Sequence, residues 1–104
     1  MSRFNIENDN EFIERFMKFF NSDQVQDDFD YVHGGTAKME LSVVQEYLSD
    51  SYGKMWLEDN FLTPLVDYYD SIISQLELQN EIDVDVNEKK NEAKALIEYL
   101  KKWE

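Results

Sequence analysis

Cysteine is absent from this chain, and histidine, proline and glycine occur only one, one and three times. Without cysteine there is no disulfide framework, no thiolate nucleophile and no cysteine-based zinc site. A single histidine excludes a metal site built from several imidazoles, and the three glycines do not form a glycine-rich phosphate loop. These absences exclude several common classes of enzyme and metal-binding protein.

Long apolar runs are absent as well. No stretch approaches the roughly 20 apolar residues that a membrane-spanning helix needs. The N-terminal residues, which include Arg3 and Asn5, lack the apolar core of a signal peptide. We therefore expect a cytoplasmic protein, although the absence of cysteine does not itself distinguish export from cytosolic residence.

Basic residues are few relative to acidic ones. The 104 residues contain 10 Lys and Arg against 23 Asp and Glu, which gives a formal net charge of −13. Such an excess repels nucleic acids and anionic membranes and attracts proteins with a basic surface, because electrostatic steering raises association rates. The excess lies in residues 1–87, with 19 acidic and 5 basic residues, whereas residues 88–104 carry 4 and 5. The charge therefore predicts a class of partner and a directional acidic surface.

The chain does contain enough apolar material for one core. Leu, Ile, Val and Phe make up 29 of the 104 residues, above the roughly 20% below which highly charged chains stay disordered. Helical spacing is clearest in the first apolar stripe, which contains Phe12, Ile13, Phe16, Met17, Phe19 and Phe20. We predict a mainly α fold: a single acidic helical domain spanning residues 1–104, a small bundle of four to five helices with room for one short strand pair.

Local signals predict where the later helices begin and end. Ser42 and Gln45 match a capping box, and Gly53 suits a helix end. Thr63 followed by proline is typical of a helix start, because proline at the first helical position loses no hydrogen bond. Asn87 can cap the last helix, whose predicted inner face comprises Ala93, Leu96, Ile97, Leu100 and Trp103.

Segments without a clear helical pattern separate these helices. The acidic, aromatic stretch from Asp23 to His33 ends at two glycines and is predicted to be the least regular region. Residues 37–43 and 82–86 alternate between apolar and polar side chains, which favours extended structure. We expect the first of these to lead into a helix and the second to be a brief strand or an extended connector.

None of the enzyme-like patterns in the chain is complete. His33 lies beside two glycines in an expected turn, where a solvent-exposed or packing role is more common than catalysis. Residues 83–87 match the opening of a calcium loop, but Glu88 and Lys94 replace the required Gly and Glu. Carboxylate pairs arise by chance among 23 acids, and nothing places one in a cleft. We predict no catalytic residue, no metal and no cofactor.

Two acidic segments are candidate partner-binding sites. On the helix after Pro64, one face carries Asp67, Asp70, Ser74, Glu77 and Glu81. A solvated helix face also explains this stripe, but no Lys or Arg occurs in residues 55–88, and like charges at this spacing are unfavourable. The second segment comprises Asp27, Asp28, Asp30 and Tyr31, with Phe29 between them. Its aromatic rings either pack on Lys and Arg side chains of a partner or anchor an acidic loop to the core.

These features favour a non-enzymatic binding protein whose partner is a basic protein, with no direct contact to nucleic acid or membrane. The leading hypothesis is an inhibitor of a nuclease or nucleic-acid-binding protein, by analogy of size and charge with the immunity proteins of nuclease toxins. The first alternative is a phage-type anti-defence mimic of nucleic acid, although the helix stripe carries four acids over about 21 Å, where duplex DNA presents about twelve phosphates. The other alternative is a helical adaptor or assembly factor that uses an apolar helix face such as Phe12, Phe16, Phe19 and Phe20.

Overall fold

The computed structural model describes residues 6–102, which form α-helices, one π-helical turn and connecting segments but no strand. In chain order the elements are α1 (Asp9–Phe20), α2 (Asp23–His33), α3 (Leu41–Leu48), α4 (Ser51–Leu57), the π turn (Glu58–Leu62), α5 (Thr63–Leu78) and α6 (Val84–Lys101). Because α4, the π turn and α5 follow one another without a break, the described residues fold into five helical rods. The predicted mainly α bundle is confirmed, and the short strand pair does not form within residues 6–102.

The core is built on a column of phenylalanine rings along α1. Phe12, Phe16 and Phe20 are fully buried, since a spacing of four residues returns to the same face of a helix. Successive rings in this column have centroids 5.7 and 5.3 Å apart. Phe29 of α2 packs edge-on against Phe20 at 5.1 Å, and Tyr99 of α6 stacks on Phe12 at 5.3 Å. These phenylalanines are therefore core residues and are not available as an exposed adaptor face.

The segment from Asp23 to His33 is a regular helix, which corrects the prediction that it would be irregular. Ser22 caps its N-terminus by accepting a hydrogen bond from the amide of Val25, and Gly34 ends it with a φ of 87°. Its buried residues are Val25, Gln26 and Phe29. The apolar pattern is weak because one buried residue is a glutamine and acids crowd the remaining positions.

Residues 36–40 form a connecting segment that is neither helix nor strand and that is extended at Glu40. Side chains satisfy backbone groups of Ala37 and Met39 in this segment. The Asn21 side-chain amide donates to the Met39 carbonyl and accepts from the Met39 amide, each at 2.8 Å. The buried Gln26 accepts from the Ala37 amide at 2.9 Å and donates to a carbonyl of α1 at 2.7 Å. These two side chains hold this segment against α1 and α2.

The helix Leu41–Leu48 differs from the prediction at both ends. It begins directly after the extended Glu40, which provides no side-chain cap, so the predicted capping box at Ser42 is wrong. Gly53 does not end this helix, because it lies buried inside α4. A Cβ at Gly53 would stand 2.2 Å from the carbonyl oxygen of Tyr47, so only glycine permits this close approach of α4 to α3.

Pro64 lies inside a continuous helical rod, directly after the π turn. Thr63 was predicted to cap a new helix, but the preceding Leu62 is already helical and no side chain caps α5. The amide of Thr63 bonds to the Glu58 carbonyl, five residues back, which is the π pattern. Because proline has no amide and its ring crowds the carbonyl four residues earlier, the wider turn accommodates it without ending the rod. One rod therefore carries the surfaces of both α4 and α5.

The last helix begins earlier than its predicted cap. It starts at Val84, and Asp83 rather than Asn87 caps it by accepting from two amides of the first turn at 3.0 and 3.2 Å. The alternating residues 82–86 therefore form a helix start and not a strand, because the Asp83 carboxylate satisfies amides that have no partner within the helix.

Candidate binding surfaces

Helices α2, α5 and α6 meet at a polar cluster formed by Asp28, Tyr69 and Lys89. The Oδ2 atom of Asp28 accepts from the Tyr69 hydroxyl at 2.7 Å and from the Lys89 ammonium at 2.8 Å. The ammonium also lies 5.1 Å from the centroid of the Tyr69 ring, within the range of a cation–π interaction. Tyr69 is fully buried, and the Asp28 and Lys89 side chains are only 18% and 20% exposed. The cluster holds three helices together, and it engages Asp28 inside the fold.

Burial, reinforced by the hydrogen bond to Asp28, raises the pKa of Tyr69 well above its ordinary value of 10.0. The unfolded chain releases this proton near pH 10, whereas the folded protein retains it, so the stability contributed by Tyr69 is complete below about pH 10 and is lost above it. Above about pH 10, we predict that the free energy of unfolding falls more steeply with pH in the wild-type protein than in Tyr69→Phe. The difference in slope should be about 1.4 kcal/mol per pH unit. Urea unfolding of both proteins from about pH 8 to about pH 11.5 measures this difference. Parallel stability profiles would contradict the prediction.

A second lysine of α6 binds an acid of the predicted stripe. The Lys90 ammonium forms an ion pair with Asp70, whose side chain remains 49% exposed. Lys89 and Lys90 thus neutralise carboxylates of α2 and α5. Two of the five basic residues in 88–104 are therefore paired with carboxylates inside the fold.

Two tyrosines in contact, one on α2 and one on α5, have exposed acids as near neighbours along their helices. Tyr31 is 77% exposed and packs on Tyr68 of α5, with ring centroids 5.2 Å apart. Asp27 and Asp30 are exposed on α2 near Tyr31, and Asp67 is exposed directly before Tyr68. Among residues 6–102, these three carboxylates take part in no ion pair. We call Asp27, Asp30, Tyr31, Asp67 and Tyr68 the tyrosine surface.

Of the other two acids of the predicted stripe, Glu77 lies in the last turn of α5, whereas Glu81 lies beyond the end of the helix at Leu78, so its predicted place on the helix face is wrong. Glu77 lies ten positions after Asp67, which is about 15 Å along a helix. Glu77 and Glu81 instead neighbour Leu78 and Ile82, whose side chains are 87% and 83% exposed. The structure therefore divides the stripe between the tyrosine surface and the corner where α5 turns into α6. Their role in partner binding stays a prediction.

Exposed apolar side chains are the feature that sequence reasoning missed. Besides Leu78 and Ile82, the side chains of Tyr52, Met55 and Trp56 on α4 are 74%, 46% and 44% exposed. Their spacing of three and four residues was a usable signal for one helix face. That signal was obscured because the residues around them have no clear amphipathic pattern. Exposed apolar groups that cluster within polar surroundings are typical of interaction sites.

Two of the enzyme-like patterns can be located in the fold. His33 is exposed at the end of α2, and its ring centroid lies 4.8 Å from that of Phe29. The Asp83 carboxylate of the partial calcium pattern caps α6. Within residues 6–102, no three His, Asp or Glu side chains come together where they could hold a metal ion.

Comparisons with protein-family models, with curated proteins and with solved structures return no match to this chain. None of the helices in residues 6–102 combines the length and the apolar character needed to cross a membrane.

Proposed function

We propose that this chain is a cytoplasmic, non-enzymatic inhibitor that covers the basic surface of a nuclease or another nucleic-acid-binding protein, in the manner of an immunity protein against a nuclease toxin. The tyrosine surface is the observation that carries the proposal. Its exposed carboxylates enter no ion pair among residues 6–102, and they lie beside a packed pair of tyrosine rings.

The net charge provides the first step of the proposed mechanism. A formal charge of −13 on 104 residues attracts a basic partner over distances of about 10 Å at moderate salt. Steering of this kind raises the association rate more than it strengthens the final complex. The same charge repels nucleic acid, so the inhibitor does not itself bind the substrate of its partner.

Tyr31 provides the anchor that follows steering. Its ring has few rotatable bonds and is supported on one side by Tyr68 at 5.2 Å. An arginine of the partner can stack on the exposed ring while its guanidinium donates to Asp27 or Asp30. Tyrosine and arginine are the residue types that dominate binding energy in protein interfaces.

Occupying a basic surface is sufficient for inhibition. A nuclease holds the phosphates of its substrate with Lys and Arg side chains, and the carboxylates of the tyrosine surface would pair with the same groups. The inhibitor then needs no catalytic residue.

The first test removes charge from the tyrosine surface and measures association with the partner. The partner is recovered from the source cell at low salt with the tagged protein and then purified. We expect the variant Asp27→Asn, Asp30→Asn, Asp67→Asn to associate about tenfold more slowly at low ionic strength. The difference should shrink as NaCl is raised, because salt screens exposed charges. Stopped-flow kinetics at several salt concentrations measure both effects.

A matched control separates the local surface from net charge. The variant Glu14→Gln, Glu46→Gln, Glu98→Gln removes the same number of charges from exposed positions on α1, α3 and α6. It should slow association by only about two- to threefold, because it weakens the long-range attraction alone. Equal slowing by the two variants would assign binding to net charge and contradict a role for the tyrosine surface. A captured partner that is not basic, or whose affinity is insensitive to salt, would refute the proposal itself.

Competition distinguishes an immunity protein from a general mimic of nucleic acid. An immunity protein should inhibit the one toxin that it matches, whereas a mimic should inhibit unrelated DNA-binding proteins. Inhibition of two unrelated nucleases by the purified protein would replace the immunity proposal with the mimic.

The exposed face of α4 supports the adaptor as a second candidate function. Tyr52, Met55 and Trp56 share one side of that helix and are all exposed. Binding through this face would be driven by apolar burial and would persist in high salt. The salt dependence of the purified complex therefore decides between the two functions.

A further inference from the structure

Three aliphatic side chains extend into solvent at the corner between α5 and α6. Leu78, Ile82 and Val84 are 87%, 83% and 63% exposed, and the first two are the most exposed large apolar residues within residues 6–102. Single exposed apolar side chains are common on protein surfaces. Here three of them occur within seven consecutive residues, and folding leaves all three uncovered. We call Leu78, Ile82 and Val84 the aliphatic patch.

Hydrogen bonds fix the backbone of this corner. Asn80 has a φ of 58°, and its amide bonds to the Glu77 carbonyl at 3.1 Å. The amide of Glu81 bonds to the Leu76 carbonyl at 2.8 Å, which completes a Schellman motif. The position from which an apolar residue usually packs back onto the helix is occupied here by Glu81. The neighbouring aliphatic side chains therefore remain in solvent on a backbone that is already ordered.

Carboxylates surround the aliphatic patch. Exposed acids before, within and after it are Glu77, Glu81, Asp83 and Asp85. No Lys or Arg occurs in residues 55–88, and the next two bases, Lys89 and Lys90, are paired with carboxylates of α2 and α5. An apolar centre with a polar rim is the usual composition of a protein interface, and here the rim carries one sign of charge.

We propose that this corner, defined by Leu78, Ile82, Val84 and the surrounding acids, docks a basic amphipathic helix of the partner protein. The apolar face of that helix covers the aliphatic patch, and Lys or Arg residues beside that face pair with the carboxylates. The inference rests on the proposed function and specifies the chemistry of the partner. It also assigns Glu77 and Glu81 to a second contact, distinct from the tyrosine surface.

Charge complementarity selects this occupant over a second copy of the chain. In a symmetric dimer the same patch faces itself, so the two rings of carboxylates would oppose each other. An anionic membrane is disfavoured for the same reason. A helix with cations beside its apolar face both covers the aliphatic groups and neutralises the acids.

The test uses two synthetic helical peptides of about 18 residues. One peptide has Leu on one face and Lys on the other, and the comparison peptide keeps every Lys but replaces each Leu with Gln. Isothermal titration calorimetry with the full-length protein at about 0.15 M NaCl gives the affinities. We expect the Leu-containing peptide to bind at least about tenfold more tightly, because only it covers the aliphatic patch.

Two pairs of substitutions locate that binding. Leu78→Ser with Ile82→Ser should lower the affinity for the Leu-containing peptide by about tenfold. Glu77→Gln with Glu81→Gln should make that affinity less dependent on salt. The matched control, Tyr52→Ser with Met55→Ser, removes two exposed apolar residues from α4 and should change the affinity by less than about twofold. All six substituted side chains are exposed, so each variant should retain the fold, which urea unfolding verifies.

Several outcomes would overturn the inference. Equal affinity for both peptides, or unchanged affinity in the Leu78 and Ile82 variant, would mean that the peptides bind through net charge and not through the aliphatic patch. Loss of peptide binding in the α4 control would show that the peptide binds at α4 and not at the corner. Self-association that sedimentation detects in the wild-type protein and not in the Leu78 and Ile82 variant would identify a second copy as the occupant.

The purified cellular partner separates this inference from the proposed function. One result would be a basic partner whose association is slowed by the tyrosine-surface variant and unchanged by the Leu78 and Ile82 variant. That result would refute docking at the corner and leave the proposed function standing. If the Leu-containing peptide binds at the corner while the captured partner is not basic, the proposed function is refuted and the corner remains a docking site.

Discussion

Gly53→Ala is expected to lower the free energy of unfolding by about 2 to 3 kcal/mol, although alanine is the better helix former by about 1 kcal/mol. The added Cβ would stand 2.2 Å from the carbonyl oxygen of Tyr47, and its other near neighbours are backbone atoms of the same residue. Backbone atoms cannot rotate aside as a flexible side chain does, so α4 must move away from α3. Urea unfolding followed by circular dichroism measures the loss.

Gly35→Ala is the matched control for this prediction. A Cβ at Gly35 meets no atom within 4 Å, so the substitution acts mainly by restricting the unfolded chain. Its stability should be unchanged or higher by about 0.4 to 1 kcal/mol. A stabilised Gly53→Ala variant would mean that helix propensity outweighs the contact with Tyr47 and would contradict the close packing of α4 on α3.

Asp28→Asn is the second substitution with a large expected effect, a loss of about 2 to 3 kcal/mol. The amide has the size of the carboxylate but no charge, so the Lys89 ammonium, 20% exposed, loses its counter-ion. The same oxygen of Asp28 now accepts from both Tyr69 and Lys89, and a neutral amide accepts from a cation less strongly than a carboxylate does. The difference in unfolding free energy between wild type and variant checks the prediction.

A double-mutant cycle tests whether the loss comes from the pair. Asp28→Asn combined with Lys89→Met should lose less stability than the sum of the two single variants, because neither charge is then left unpaired. Additive losses would contradict the coupling. Asp23→Asn is the control on the same helix, since its partner Lys38 lies 3.8 Å away and both side chains are largely in solvent. That exposed pair should contribute almost nothing to the free energy of unfolding, so Asp23→Asn should leave it nearly unchanged.

The polar cluster also connects stability to binding. Asp28 and Tyr31 are on the same helix, and Tyr69 follows Tyr68 on α5. The hydrogen bond from Tyr69 to Asp28 therefore fixes the two helices whose outer sides form the tyrosine surface. We interpret Asp28 as a residue that positions this surface, whereas Asp27, Asp30 and Asp67 are exposed on it.

The helical class and much of the core were predictable because they depend on local spacing. Phe12, Phe16 and Phe20 recur every four residues, and a helix brings such residues to one face whatever the rest of the chain does. The inner face of α6 follows the same rule, with Ala93, Leu96 and Leu100 fully buried; the predicted Trp103 lies outside the described residues.

Helix ends were harder to predict because each depends on a contact with another part of the chain. Gly53 has the residue type of a helix terminus, yet the approach of Tyr47 from α3 places it inside α4. Pro64 has the residue type of a helix start, yet the π turn carries the rod through it. The α2 helix was missed because the buried Gln26 owes its place to partners on α1 and on the segment between α2 and α3.

The sequence by itself determined the helical class and the sign of the net charge, because these follow from composition and local spacing. Only the tertiary structure decided which carboxylates remain exposed and unpaired. Lys89 reaches Asp28 across 61 residues of sequence, and Lys90 reaches Asp70 on a neighbouring helix. The packing of the helices also decided that Phe12 is buried and Leu78 is exposed. Burial of an apolar side chain depends on whether another helix packs against its face. The surfaces around Tyr31 and at the α5 to α6 corner carry part of the acidic excess behind the net charge of −13.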